Sequence, residues 1–180
     1  MENSVGPTDQ WVLVPGTLCT PEVFGPLLDQ MGVPGENRRH IVADAPTTGE
    51  YDARLRSAVT GGEIVCGFSL GSLILARNLG ALENAKAVVL LAANPLRDGE
   101  GNRANREAVR DRVLAGGARD WIVENWAAMS TDRGEKLKSF VASMAEDTSG
   151  LIVAQTELAA SRPGAEKALL ETRLPLVFVN

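Results

Sequence analysis

Cysteine and histidine are scarce in this sequence. Its two cysteines, Cys19 and Cys66, are too few for a disulfide framework. With the single histidine, His40, they match no metal-ligand spacing, so no metal is expected, and nothing implies a cofactor. Basic runs are missing beyond Arg38-Arg39, and the net charge is -5, which argues against nucleic acid or an anionic membrane as partner. The first ten residues are polar and acidic, without the basic and apolar regions of a signal peptide, and no apolar stretch approaches membrane-spanning length. A reducing cytoplasm is the expected setting.

What is present is ordinary for a soluble globular chain: 180 residues, 44% hydrophobic and 23% charged, enough for one domain with a sizeable core. Five short apolar runs stand out: Trp11–Val14, His40–Ala43, Ile64–Phe68, Ala87–Leu91 and Leu176–Val179. They are continuous, as in parallel strands buried on both faces. Helical segments separate the early ones. Pro21–Met31 follows Thr20 as N-cap and stops at Gly32, Asp52–Val59 ends at Gly61-Gly62, and Leu70–Leu82 is good helix sequence throughout. This alternation predicts an α/β fold, three-layered, with a mostly parallel sheet of about five strands.

After Ala92 the rhythm changes. From Asn94 to Pro163 the pattern is helical, in Arg103–Leu114, Arg119–Met129, Glu135–Ala145 and Leu151–Ser161. Trp121, Ile122, Trp126 and Met129 form a stripe at helical spacing, either a core seam or the lining of a substrate pocket. A helical insertion between two strands of one sheet is a cap or a separate lobe.

Chemistry is concentrated at Gly67-Phe68-Ser69-Leu70-Gly71, a G-x-S-x-G run that leaves an apolar strand and enters a helix directly. A turn that tight strains the backbone at Ser69, and side chains at 67 and 71 would collide with neighbouring elements. The hydroxyl then stands at the carboxyl end of the sheet, beside a helix N-terminus whose free N–H groups favour developing negative charge. The alternative is a structural serine in a glycine-rich turn. A second feature, Val14-Pro15-Gly16-Thr17, is a strand running into a Pro-Gly turn. Acyl transfer needs two backbone donors for the oxyanion. The N–H of Leu70 supplies the first, and the N–H of Thr17, brought close by Gly16, supplies the second; the plainer reading is an ordinary turn between strand and helix.

Leu13-Val14-Pro15-Gly16-Thr17-Leu18-Cys19, then Ile41-Val42-Ala43-Asp44, then Gly-Phe-Ser-Leu-Gly together resemble the α/β-hydrolase family, and within it the small carboxylesterase-like members in which Pro-Gly replaces His-Gly in the oxyanion loop. Ala87–Asn94 looks like the strand after the nucleophile helix, and Leu174–Asn180 like the strand that normally delivers the catalytic acid. The resemblance implies the strand order second, first, third, fourth, fifth, with residues 94–163 as a cap over the site. It implies Ser69 as nucleophile, Leu70 and Thr17 as oxyanion donors, and Phe68, Trp121 and Trp126 as pocket walls. The activity implied is hydrolysis of a small ester or thioester.

The family's chain order is Ser, acid, His. Both later positions fall after Asn180, so the expected fold is an incomplete α/β hydrolase with impaired acyl transfer. His40 precedes Ser69 and is expected at the start of its strand, a strand's length from the chemistry, in a structural role. Asp98 reaches the site only if its loop folds back, and Asp44 matches a turn residue. Two other readings remain: a non-catalytic relative acting as a binding or assembly module, and a lyase or cyclase needing no triad. The last strand, at the sheet edge with Leu174, Leu176, Val177, Phe178 and Val179, is expected to self-associate or to take up a complementing fragment.

Overall fold

A computed structural model describes residues 6–131 and 134–179. Strands β1 (Trp11–Val14), β2 (Arg38–His40), β3 (Ile64–Phe68), β4 (Ala87–Leu91) and β5 (Leu176–Val179) form one sheet in the order β2-β1-β3-β4-β5. All four pairings are parallel. This is the order inferred above, and its reversal lies between β1 and β3, where an open α/β sheet presents its binding crevice.

Alternation along β1 splits the core into two layers. Val12 and Val14 face a large cluster built with Tyr51 and Leu55 near and on α2 (Asp52–Ala58), and with Leu73, Ile74 and Leu75 on α3 (Leu70–Arg77). Trp11 and Leu13 face the other way, onto Phe24 and Leu28 around α1 (Gly25–Gln30). Burying each such Leu or Ile contributes about 1.5–3 kcal/mol, which explains why β1 and β3 read as unbroken apolar runs. Coverage thins towards β5. Along β4 only Val88 and Leu90 are buried, while Ala87, Val89 and Leu91, facing the α1 side, are partly open. In β5, Val177 and Val179 pair in register with Val89 and Leu91, and are 47% and 50% exposed.

Between β4 and β5 the described chain is helical: α4 (Glu100–Arg112), α5 (Ala118–Met129), α6 (Glu135–Asp147) and α7 (Ile152–Ser161). A π-helical turn at Val113–Gly117, with Gly116 at φ 86°, joins α4 to α5. These helices share a third cluster, with Ile122, Trp126, Ala142, Ala145 and Ile152 packed around Leu18 from the turn after β1. No helix among the described residues is long and apolar enough to cross a membrane.

Several boundaries differ from expectation. The second strand is Arg38–His40, not His40–Ala43. As an edge strand it needs only backbone pairing, and its side chains are largely exposed. The apolar positions that follow, Ile41, Ala43 and Ala45, are buried in alternation with exposed Val42 and Asp44, in chain that has left the sheet. The first helix opens with a 3-10 turn at Pro21–Phe24, and α3 stops at Arg77, where the Asn78 side chain donates to the Ile74 carbonyl at 2.8 Å. A short helix, α8 (Glu166–Glu171), was not foreseen.

Candidate active site

Ser69 has φ 50° and ψ -108°, a conformation that L residues avoid, between the last residue of β3 and the first of α3. The surroundings over-determine it. A Cβ on Gly67 would stand 2.6 Å from the Ser72 nitrogen, and one on Gly71 would be driven into the Val14 carbonyl oxygen. The Ser69 N–H donates to the Leu91 carbonyl at 2.9 Å, and the buried Ser72 hydroxyl bonds the Gly67 carbonyl at 2.7 Å. Helix α3 therefore lies so close to β1 and β3 that only glycine fits at both flanks.

The turn after β1 comes against this serine. A Cβ on Gly16 would be 3.2 Å from Ser69 Cβ and 3.0 Å from the Phe68 ring. Two residues on, Leu18 takes φ 55°. Its N–H donates at 3.0 Å to Oε1 of Gln155 on α7, whose Nε2 donates to the Ala43 carbonyl at 3.1 Å. The Thr17 N–H has no acceptor among the described residues. Leu70 opens α3, so its N–H has no carbonyl one turn back.

Ser69 opens into a cavity of about 630 Å³. Thr17, Phe68, Trp121 and Trp126 line it as well, whereas Leu70 turns its side chain into the core and offers the site only its backbone. The tryptophan stripe serves both purposes weighed above: Ile122 and Trp126 are buried in the helical cluster and also wall the cavity. At the far end stand Asn102, Asn105 and Arg106 of α4. Nothing in the sequence singled them out, since α4 carries four arginines at similar spacing.

The remaining candidates lie elsewhere. His40 ends β2, paired with Leu13, rather than beginning a strand. It is therefore level with the carboxyl half of the sheet, but β1 stands between it and β3, a lateral separation of about 10 Å. Its side chain is exposed and interacts electrostatically with Glu22, outside the cavity. Asp98 does not line the cavity; Arg106 grips it at 2.7 and 3.0 Å, and those hydrogen bonds hold its carboxyl below the usual carboxylate range. Asp44 is exposed and bonded by Arg54 at 2.5 Å. Burial pushes the Cys19 and Cys66 thiols up to about 12, so neither is a thiolate at neutral pH. Among the described residues no hydrogen-bonding partner reaches Ser69 Oγ, and no three of His, Cys, Asp and Glu gather as a metal site would require.

By sequence, the chain matches no family model and no curated protein. By structure it matches solved chains over nearly its whole length. A carboxylesterase of Nitrososphaera gargenis superposes with a TM-score of 0.75 at 12% identity, covering 97% of this chain and 73% of that one. The esterase EaEST of Exiguobacterium antarcticum gives 0.73 at 14% identity, with 97% and 74% covered. This chain has the α/β-hydrolase fold. Not every protein on this fold is an esterase: the bottromycin epimerase BotH matches with a TM-score of 0.64 at 12% identity, covering 89% of this chain and 69% of its own. At such identities the likeness concerns the α/β-hydrolase fold alone.

Proposed function

We propose that the site is an acyl-transfer centre of the serine carboxylesterase or thioesterase type. Ser69 is the nucleophile of a nucleophile elbow, and the N–H groups of Leu70 and Thr17 stabilise the oxyanion. Phe68, Trp121 and Trp126 hold the apolar part of a small ester-like substrate, under a cap formed by residues 94–163. The observation that carries this reading is the strained Ser69 at φ 50°, fixed between two obligatory glycines, close against Gly16 and lining the cavity. A serine kept merely for structure needs neither the strain nor the cavity. Two buried free thiols fit a reducing, cytoplasmic setting.

The missing partners are an acid and a base. About a quarter of the N. gargenis and of the E. antarcticum esterase chain lies outside the part matched here. A segment equivalent to that quarter, carrying the acid and histidine, adds to the free edge of β5 and covers the apolar strip of Val89, Leu91, Val177 and Val179. Whether that segment belongs to this polypeptide or to another, the described chain supplies nucleophile and oxyanion donors only.

The test is acylation, which the first half of the reaction requires. Incubated with p-nitrophenyl acetate, the 180-residue chain should take up one acetyl group at Ser69, slowly, and faster with added imidazole as external base. Steady turnover should stay near background, because losing the base removes most of the catalytic rate. Mass spectrometry of Ser69→Ala should show no such adduct. If Ser69 is acetylated no faster than other serines, the second reading gains: a binding module that keeps the pocket. That reading is favoured by the lack of any partner for Ser69 Oγ among the described residues, and extends to a lyase or cyclase without a triad.

A further inference from the structure

The cavity is not apolar throughout. Behind its α4 end lies a buried charge cluster centred on Asp98, whose side chain is 3% exposed. Arg106 donates to it through Nε and Nη2, and Asn102 Nδ2 adds a third bond at 3.1 Å. Arg162, with a side chain only 4% exposed, brings Nη2 to 3.5 Å from the same carboxylate. Its Nη1 donates to the Ala159 carbonyl, while its Nε has no acceptor among the described residues.

Two guanidiniums thus face one carboxylate, and arginine does not give up its proton. On the flanking helices Glu107 and Glu157 share Arg103, so the negative charge left over there offsets the second guanidinium. Arg106 is the member of the cluster that reaches the cavity. Asp98 holds its Nε–Nη2 edge, which fixes the plane of the guanidinium and leaves Nη1 without a bond to the described residues. Asn102, one turn away, and the unbonded Asn105, next to Arg106 in sequence, also line the cavity.

We propose that this end of the cavity is a subsite for the carboxylate of a monoanionic ligand whose apolar body lies against Trp121, Trp126 and Met129. Arg106 Nη1 and the Asn105 amide donate to the carboxylate, and Asp98 holds the Arg106 guanidinium in place from behind. One Nη1 and one amide match the two oxygens of a carboxylate rather than the three of a phosphate-type dianion. The inference rests on reading the cavity as the ligand site but not on the chemistry of Ser69.

The full chain would be titrated with 4-phenylbutyrate, its neutral amide and phenylphosphonate, following tryptophan fluorescence and confirming by calorimetry. The carboxylate should bind roughly tenfold or more tightly than the amide, as expected of charge-assisted hydrogen bonds. Arg106→Gln should abolish that preference. Because this change also weakens the hold on Asp98, a second variant is needed: Asn105 is exposed and unbonded, so Asn105→Asp keeps the fold. It should cut carboxylate binding much more than amide binding, so that the preference shrinks. Equal affinity for acid and amide, a preference that survives both substitutions, tighter binding of the phosphonate, or no binding of either phenylbutyrate probe would overturn the subsite. Acetylation of Ser69 is read separately, so either idea can fail alone.

Discussion

Gln155 on α7 accepts the Leu18 N–H at 3.0 Å across 137 positions of sequence. The same amide donates to Ala43, so one side chain, 1% exposed, ties the helical insertion to the turns after both β1 and the second strand. Leu18 sits at φ 55°, and this bond is what holds it there, one residue from the proposed Thr17 donor.

Replacing Gln155 with leucine keeps the volume but strands a buried N–H and a buried carbonyl. Each unpaired group costs about 1–3 kcal/mol, so Gln155→Leu should lose roughly 2–6 kcal/mol in urea unfolding. Amide exchange at Leu18 should accelerate together with that of α7. A loss under about 0.5 kcal/mol would mean that water replaces the glutamine without cost.

The glycines at the serine turn make a sharper case. A methyl at Gly71 meets the Val14 backbone, which cannot rotate aside, whereas Gly80 has nothing within 4 Å of an added Cβ. Gly71→Ala should therefore cost more than about 3 kcal/mol or prevent folding. Gly80→Ala should stay within about 1 kcal/mol of the parent by the same measurement. Similar effects at both sites would show that α3 does not pack as closely on β1 as described.

This contrast explains what the sequence could reveal. The buried strands and the serine turn were legible because burial and close approach leave residue-type signatures: unbroken apolar runs at Trp11–Val14 and Ile64–Phe68, and glycine at 67 and 71; the strand order came from the family resemblance. The second strand was misplaced because an edge strand demands only backbone, and Arg38-Arg39 carry no apolar signal. His40 was misplaced with it. Arg106, Asn105 and Gln155 were invisible because their roles depend on how α4 and α7 fold back over the sheet, a tertiary fact with no local pattern.

Glu63, just before β3, gives the fold an acid limit. Burial alone would raise its carboxyl, but hydrogen bonds from the Gly61 N–H and the Thr60 hydroxyl outweigh that and hold it down at about 2. The folded value lies below the unfolded one, so the stabilisation is complete above about pH 4.5 and is lost as pH falls towards 2. A shift of this size corresponds to about 3 kcal/mol. Glu63→Gln should remove most of that difference, flattening the fall in stability between pH 5 and 2 in urea titrations at each pH. An unchanged acid slope would place the sensitivity on other carboxylates.

The free edge of the sheet makes the last expectation. Strand β5 has a neighbour on one side only, so its other side carries unpaired N–H and C=O groups. Val177, Phe178 and Val179 are each about half exposed beside them. Natural edges are usually protected by charge, proline or a covering element, and among the described residues this one has only Pro175, at its start. In the absence of a complementing segment, the isolated chain should pair through β5 with further copies of itself and sediment faster as concentration rises. Val177 and Val179 lie in register with Val89 and Leu91 on the thinly covered face, so lysine at both should break the association without touching the α3 core. The double variant should sediment as a monomer and keep the parent's unfolding midpoint to within a few degrees. A parent chain that is already monomeric at high concentration, and indifferent to the two lysines, would show that the edge is covered in a way the five-stranded sheet does not reveal.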